Sequence, residues 1–311
     1  MAKSNTPTIT QQPAPVAEVQ AINNIKGGTY LPHRMMMKQM MSTLGSNIPQ
    51  LTAKPAHDRT LVIVAGGQSV TKYYKEIAEH AKRPDVDVYA CNAMHDILLY
   101  DLDIPVKYAL VVDPRTKHVK YVQKPHKDVT YWISSQCDPG VFTALEGQNV
   151  YQWHCMYTGK ELSTLLGFSE LNDTNFLLVR TGCTAGLCGV TIGYSQGYRK
   201  FIMYGFDSCY TDDGKTHHAY DTDQVDTRVQ PVMIEGKKFM AVFWMVQQCK
   251  DFDNLYHSLH DASFNVRGDG AIPYIWAKME IRKKKSPLLP VGVFTNRYHT
   301  SIQDMVDKMG M

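Results

Sequence analysis

Apolar positions along this chain fall into short unbroken runs separated by turns rich in glycine, aspartate and asparagine. The runs at 61–65, 87–92, 108–112, 129–134, 149–153, 201–204 and 264–266 read as strands, and the most continuous of them suit a sheet buried on both faces. Between them, helices are expected over 32–45, 70–82, 93–101 and 185–195, and apolar residues at spacings of three and four predict one over 242–257. A short helix or turn is expected at 139–145 and loop plus helix over 156–180. A hairpin is expected about Gly236 (232–235 with 238–241), a turn at 269–272 and a terminal helix at 302–309. Strands alternating with helices place the chain in the α/β class.

Polar and small residues gather where these strands end. Residues 61–65 run into Gly66-Gly67-Gln68-Ser69 and then a helix, an order that turns backbone N–H groups toward an anion. The turn is neither a P-loop nor G-x-G-x-x-G. Asn92 closes the second strand, and Asp113-Pro114-Arg115 follows the third. In residues 182–207 a turn of small residues leads into a Gly- and Ala-rich helix, then a buried strand that ends at Asp207. Several polar strand ends on one edge make a ligand crevice, the usual binding place of open α/β sheets. The polar loop 208–221 carries His217 and His218, and such loops often hold function.

Composition narrows the picture. The 311 residues are 44% hydrophobic and carry a net charge of +3. That is enough for a sizeable core and too little charge to argue for nucleic acid or membrane. No run approaches a membrane span, and the N-terminal residues lack the apolar segment of a secretory signal. The seven cysteines include no C-x-x-C pair, so a reduced, cytoplasmic protein is expected. Residues 1–25 read as a disordered tail and 26–58 as a helical extension. Residues 59–280 form the main domain, and 281–311 are a basic segment with a C-terminal helix. The methionine cluster in 32–45 reads as a helix packed on the domain or as a partner surface for an oligomer. The basic run 282–285 is a solvated face or a polyanion contact.

Three blocks, LVIVAGGQSV, DVYACNAMHDILLYDLDIPVKYALVVDPR and TGCTAGLCGVTIGYSQGYRKFIMYGFDSCYTDDGKTHHAYDT, resemble in order and spacing the 6-hydroxymethylpterin-pyrophosphokinase-like (MptE-like) domain family. That family includes flagellin-glycosylation accessory proteins, and the blocks are also similar to family 42 sialyltransferases. The resemblance covers about residues 60–275. It implies a Rossmann-like open, mostly parallel sheet with helices on both faces, and a nucleotide-linked donor: a CMP-sugar in sialyltransferases, ATP with Mg²⁺ in the pterin enzymes. It places Gly66, Gly67, Gln68 and Ser69 beside donor phosphate and makes Asn92 a reader of nucleotide or phosphate. Thr181, Gly182, Thr184 and Gly186 fall in a second phosphate and sugar segment. The sialyltransferase pattern has a catalytic histidine just before the helix at 242–257, and this chain has none there.

Group transfer from such a donor needs groups for the leaving phosphate and a base for an acceptor hydroxyl. A neutral histidine can be that base, so His217 or His218 is expected to act with Asp207; the alternative is two solvated loop histidines. Asp113 and Asp207 are the candidate Mg²⁺ carboxylates, with N-capping or structural hydrogen bonds as the alternative. Arg115 is a candidate to neutralise phosphate as a bidentate hydrogen-bond donor, with a surface ion pair as the alternative. The function expected is nucleotide-dependent transfer, glycosyltransferase-like, to an unidentified hydroxyl acceptor. An ATP/Mg²⁺ pyrophosphokinase and a non-catalytic nucleotide-binding module are the alternatives.

Overall fold

The computed structural model of the chain describes residues 31–155, 159–172, 175–179, 184–220 and 228–283. The tail 1–25 and the helix at 302–309 lie outside them. The strands in chain order are β1 (Thr60–Val64), β2 (Val86–Cys91), β3 (Tyr108–Val111), β4 (Thr130–Ser134), β5 (Asn149–Cys155), β6 (Leu178–Val179), β7 (Lys200–Tyr204), β8 (Gln230–Ile234), β9 (Lys237–Ala241) and β10 (Ser263–Arg267). Eight of them form one sheet in the order β10-β7-β1-β2-β3-β4-β5-β6, and every neighbouring pair is parallel. The chain therefore builds outward from β1 to β6, then returns to the other side of β1. That reversal puts the topological switch point between β1 and β7, where open α/β sheets bind ligands. The Rossmann-like expectation is met.

Alternation along β1 sorts the core. Leu61 and Ile63 belong to one apolar cluster, and Val62 and Val64 to the other, all fully buried, as a period of two requires. The first face is covered by α6 (Ala185–Ser195), α7 (Phe243–Ser258) and α8 (Ala271–Lys283); α2 (Tyr74–Ala81), α3 (Met94–Asp96) and α4 (Pro139–Ala144) cover the second. α6 occupies the expected positions. Its glycines bring it onto the strands: a Cβ on Gly189 would lie 2.5 Å from Tyr89, and one on Gly193 would lie 2.5 Å from Leu61. α1 (His33–Leu44) is stitched to the domain by Gln39 Nε2 donating to Pro114 O and Thr43 Oγ1 donating to Ser135 O. Buried Met40 and Leu44 meet Leu165 of α5 (Gly159–Asn172).

Three local differences from the sequence reading have physical causes. The helix expected from 70 starts as a 3-10 turn, Gln68–Tyr73, because Val70 N–H bonds Gly67 O three residues back. The segment after β2 runs from α3 into a π-helical turn, Ile97–Asp101. The turn expected at 269–272 instead opens α8. Pro273 falls in its first turn, where no intrahelical donor is lost, and Ile272, Ile275 and Met279 form its buried stripe. Among the described residues no helix is long and apolar enough to cross a membrane.

His154 on β5 is fully buried, with Nδ1 2.8 Å from Ser135 Oγ and Nε2 2.8 Å from Gln50 Oε1. Burial pushes its pKa down to about 3, below the unfolded value near 6.5. The unfolded chain then binds more protons at acid pH. The stability contribution is complete above pH 6.5 and is lost as pH falls, by up to about 1.4 kcal/mol per pH unit. Urea denaturation from pH 7.5 to 5 should show this slope, and His154→Gln should flatten it.

Candidate functional site

At the switch point the exits of β1 and β7 touch backbone to backbone. Ala65 N–H donates to Tyr204 O and Gly67 N–H to Gly205 O, at 2.8 and 2.9 Å. Gly205 has φ +70°. Beneath them sits Asp207, 1% exposed, its Oδ2 accepting the Ser69 N–H at 2.7 Å. Its own carbonyl accepts Ala271 N–H at the start of α8. Burial raises the carboxyl pKa of Asp207, against the pull of Ser69. Asp207 is thus a buried tie between three chain segments, and it stands outside the cavity lining.

Above this tie lies a cavity of about 110 Å³. One wall is Gly66, Gly67 and Asn92. Asn92 ends β2 in the left-handed region (φ 51°), a conformation asparagine tolerates better than most residues. Its Oδ1 is buried and finds no hydrogen-bond partner among the described residues. A second wall is the start of α6, with Thr184, Ala185 and Gly186 at the cavity. Thr184 occupies the N-cap position, but its side chain does not cap the helix; its Oγ1 instead accepts from Gln248 Nε2 at 3.0 Å. Thr184 therefore leaves the first-turn N–H groups of α6 without a cap from its own side chain, at the positive end of the helix dipole. Gly186 also has a packing reason, since a Cβ there would lie 2.6 Å from the Phe206 ring.

The loop after β7 folds back over the turn after β1. His218 pairs with Gly67 in an antiparallel bridge. Gly66 O accepts from Ala219 N–H at 2.9 Å and lies 3.1 Å from His218 Nδ1. A carbonyl can only accept, so the proton sits on Nδ1 and the lone pair on Nε2. Burial lowers the pKa of His218, which keeps the ring neutral at pH 7. Tyr220 stacks on it with centroids 4.8 Å apart, and its ring would lie 2.7 Å from a Cβ at position 66. The His217 ring is 4.0 Å from that of His218, 4.5 Å from Tyr210 and 5.8 Å from Trp244. Both histidines line the cavity.

The third wall comes from α7 and contains residues the sequence reading did not single out. Trp244, Met245 and Gln248 face the cavity with Ser208. Ser208 Oγ lies 2.9 Å from Gln248 Oε1, so a chain Ser208–Gln248–Thr184 ties α7 to the start of α6. One signal was available: Gln248 is the polar member of the otherwise apolar buried stripe Met245, Cys249, Phe252 and Tyr256.

Other expected site residues lie elsewhere. Asp113 is ion-paired with Arg115 and, at 3.1 Å, with His118. Burial alone would raise its pKa; His118 and Arg115 hold it well below the usual carboxylate range. Gln68 and Ser69 flank the glycine turn behind the lining. Thr181 and Gly182 lie outside the described residues. Among the described residues no group of three or more His, Cys, Asp or Glu side chains is placed to hold a metal ion. The cavity's described lining contains no carboxylate, so the described residues do not by themselves hold Mg²⁺ there.

A family model described as 6-hydroxymethylpterin diphosphokinase MptE-like matches residues 34–213, more than half of the chain. The fold is similar to that of the MAf glycosyltransferase from Magnetospirillum magneticum AMB-1, with a TM-score of 0.54, 15% identity, and coverage of 84% of this chain and 43% of that one. The chain thus spans less than half of that enzyme's length. A weaker likeness, with a TM-score of 0.37 and 16% identity, covers 68% of this chain and 80% of the sialyltransferase CstII from Campylobacter jejuni, solved with cytidine-5'-monophosphate. No curated protein sequence matches the chain.

The crowding at Gly67 is testable. A Cβ there would lie 2.6 Å from Asp207 Oδ2 and against the Gly205 carbonyl, which are held by backbone and cannot swing away. Gly67→Ala should cost roughly 1–3 kcal/mol in chemical denaturation. Gly45→Ala, where nothing lies within 4 Å, should leave stability within about 0.5 kcal/mol.

Proposed function

The chain belongs to the 6-hydroxymethylpterin diphosphokinase MptE-like family, and on that premise we propose that it is a nucleotide-dependent group-transfer enzyme, most concretely one that moves a glycosyl group from a nucleotide-sugar to an acceptor hydroxyl. The observation that carries this reading is the convergence of the N-terminus of α6, which the Thr184 side chain does not cap, and the neutral His218 on one small cavity. Donor phosphate placed at α6 meets N–H groups and the helix dipole without a counter-cation. The Gly67 and Ser69 N–H groups are already committed to Gly205 and Asp207, so the glycine turn shapes the site more than it binds charge. Asn92 Oδ1 lacks a partner among the described residues, a cost of roughly 1–3 kcal/mol that a ligand N–H or O–H reaching it would recover.

In the reaction, the bond between the anomeric carbon and the phosphate oxygen breaks and the electron pair leaves on the phosphate, whose growing charge the start of α6 stabilises. The acceptor oxygen forms the new bond to carbon and gives its proton to His218 Nε2. His217, in ring contact with His218, is the neighbouring candidate for that proton. Asp207 acts by holding the glycine turn, the β7 exit and α8 in register. A diphosphokinase reading, with ATP and Mg²⁺ delivering a diphosphate to a hydroxyl, is less well supported because the described lining offers the metal no carboxylate.

A thermal-shift screen against CMP-, UDP- and GDP-sugars, with and without Mg²⁺, should give stabilisation by a nucleotide-sugar that does not require the metal. Complete inertness toward all of them removes the proposal. Stabilisation only by ATP with Mg²⁺, together with AMP release, would establish the diphosphokinase instead. His218→Ala should lower transfer by about 10²–10⁴-fold while donor binding persists; binding without turnover in the wild type would mark a non-catalytic module. The wild-type rate should hold above pH 6.5 and fall only at lower pH, because burial moves the His218 midpoint below the ordinary 6.5 and protonation removes the basic nitrogen.

A further inference from the structure

Residues 115–127 contain one arginine, four lysines and no acid, although the whole chain nets only +3. The segment leaves the C-terminal side of β3 and forms a 3-10 helix, Thr116–Val122. Lys117, Lys120, Lys124 and Lys127 are exposed, and among the described residues none of the four has a carboxylate partner. The nearby acids are engaged elsewhere. Asp113 is held by Arg115 and His118, Asp138 accepts from Thr116 Oγ1 and Gly140 N–H, and Asp128 sits 3.9 Å from His126. Desolvation first, and the charge of Arg115 second, lower the pKa of Lys117. A 3-10 helix advances about 2 Å per residue and eclipses positions three apart, so Lys117 and Lys120 project from one side, about 6 Å apart.

This basic strip borders the candidate site. Tyr121 within it packs on the same apolar cluster as Tyr220 and interacts with its hydroxyl; Tyr220 is the residue that stacks on His218 and lines the cavity. An aromatic face accompanies the lysines: Tyr100 is 44% exposed, its hydroxyl donates to Lys124 O at 2.8 Å, and its ring lies 6.4 Å from that of His126.

Building on the group-transfer reading, we propose that the strip 115–127 with Tyr100 binds the acceptor, and that the acceptor is an acidic glycan, a sugar chain carrying carboxylate or phosphate groups. Unpaired lysines at regular intervals match repeated negative charges on a chain, and an exposed aromatic face packs on the C–H faces of sugar rings. Sugar hydroxyls supply the nucleophile that the cavity chemistry requires.

The test uses the full chain and fluorescently labelled polygalacturonate oligosaccharides, read by anisotropy at 50 and 300 mM NaCl. The wild type should bind these and not dextran oligosaccharides of equal length, with at least tenfold weaker binding at high salt. Replacing the four lysines by glutamine (Lys117→Gln, Lys120→Gln, Lys124→Gln, Lys127→Gln) should weaken binding at least tenfold. The matching arginine variant, which keeps the charge, should stay within about threefold, and Tyr100→Ala should weaken binding severalfold. Equal affinity of the wild type and the glutamine variant, or equal affinity for dextran, overturns the proposal; so does tighter binding to a single-stranded oligonucleotide of equal charge, which would assign the surface to nucleic acid. Donor thermal shifts on the wild type check the underlying reading separately. If they are absent while polygalacturonate binding behaves as stated, group transfer falls and the ligand class of the surface stands.

Discussion

The packing of backbone against backbone at the exits of β1 and β7 sets the terms for everything above the sheet. Gly67 N–H reaches Gly205 O, and Asp207 beneath them binds Ser69 N–H through its carboxylate and Ala271 N–H through its carbonyl. A carboxylate 1% exposed is expensive, and its cost is offset only while these segments stay together. The strand order makes such a tie necessary. The chain crosses from one half of the sheet to the other between β1 and β7, so the ends of these two strands diverge in sequence while remaining neighbours in space.

Seven strands of the large sheet were legible because buried parallel strands read as unbroken apolar runs, and α6 was legible because its small residues are hemmed in by Gly182 and Gly197. The two-residue β6 was not legible, since two residues carry no periodicity. α8 was hidden by Pro273, which punctuates a sequence even where it sits harmlessly in a first helical turn.

The site was legible in half. Strand-end positions Gly66, Gly67 and Asn92 and the loop histidines all line the cavity, because ligand crevices form where strands stop and each stop can be found locally. The α7 wall comes from a segment far along the chain, and only tertiary packing brings Gln248 to Thr184. The carboxylates were misleading for an electrostatic reason. Asp113 and Asp207 look free in sequence, yet the fold gives one to Arg115 and His118 and the other to a backbone amide. What remains at the cavity's described lining is neutral, while exposed lysines stand on the neighbouring strip at 117–127.

One atom has a wider meaning. The carbonyl of Gly66 receives the Ala219 N–H and the His218 Nδ1 proton together, so the path of the loop and the tautomer of the ring are written in main chain. No side-chain replacement can delete that acceptor. Sequence can drift widely around this turn while the imidazole keeps its orientation, on the single condition that position 66 stays bare beneath Tyr220. A geometry inherited in this way can outlast the sequence similarity by which relatives are usually found.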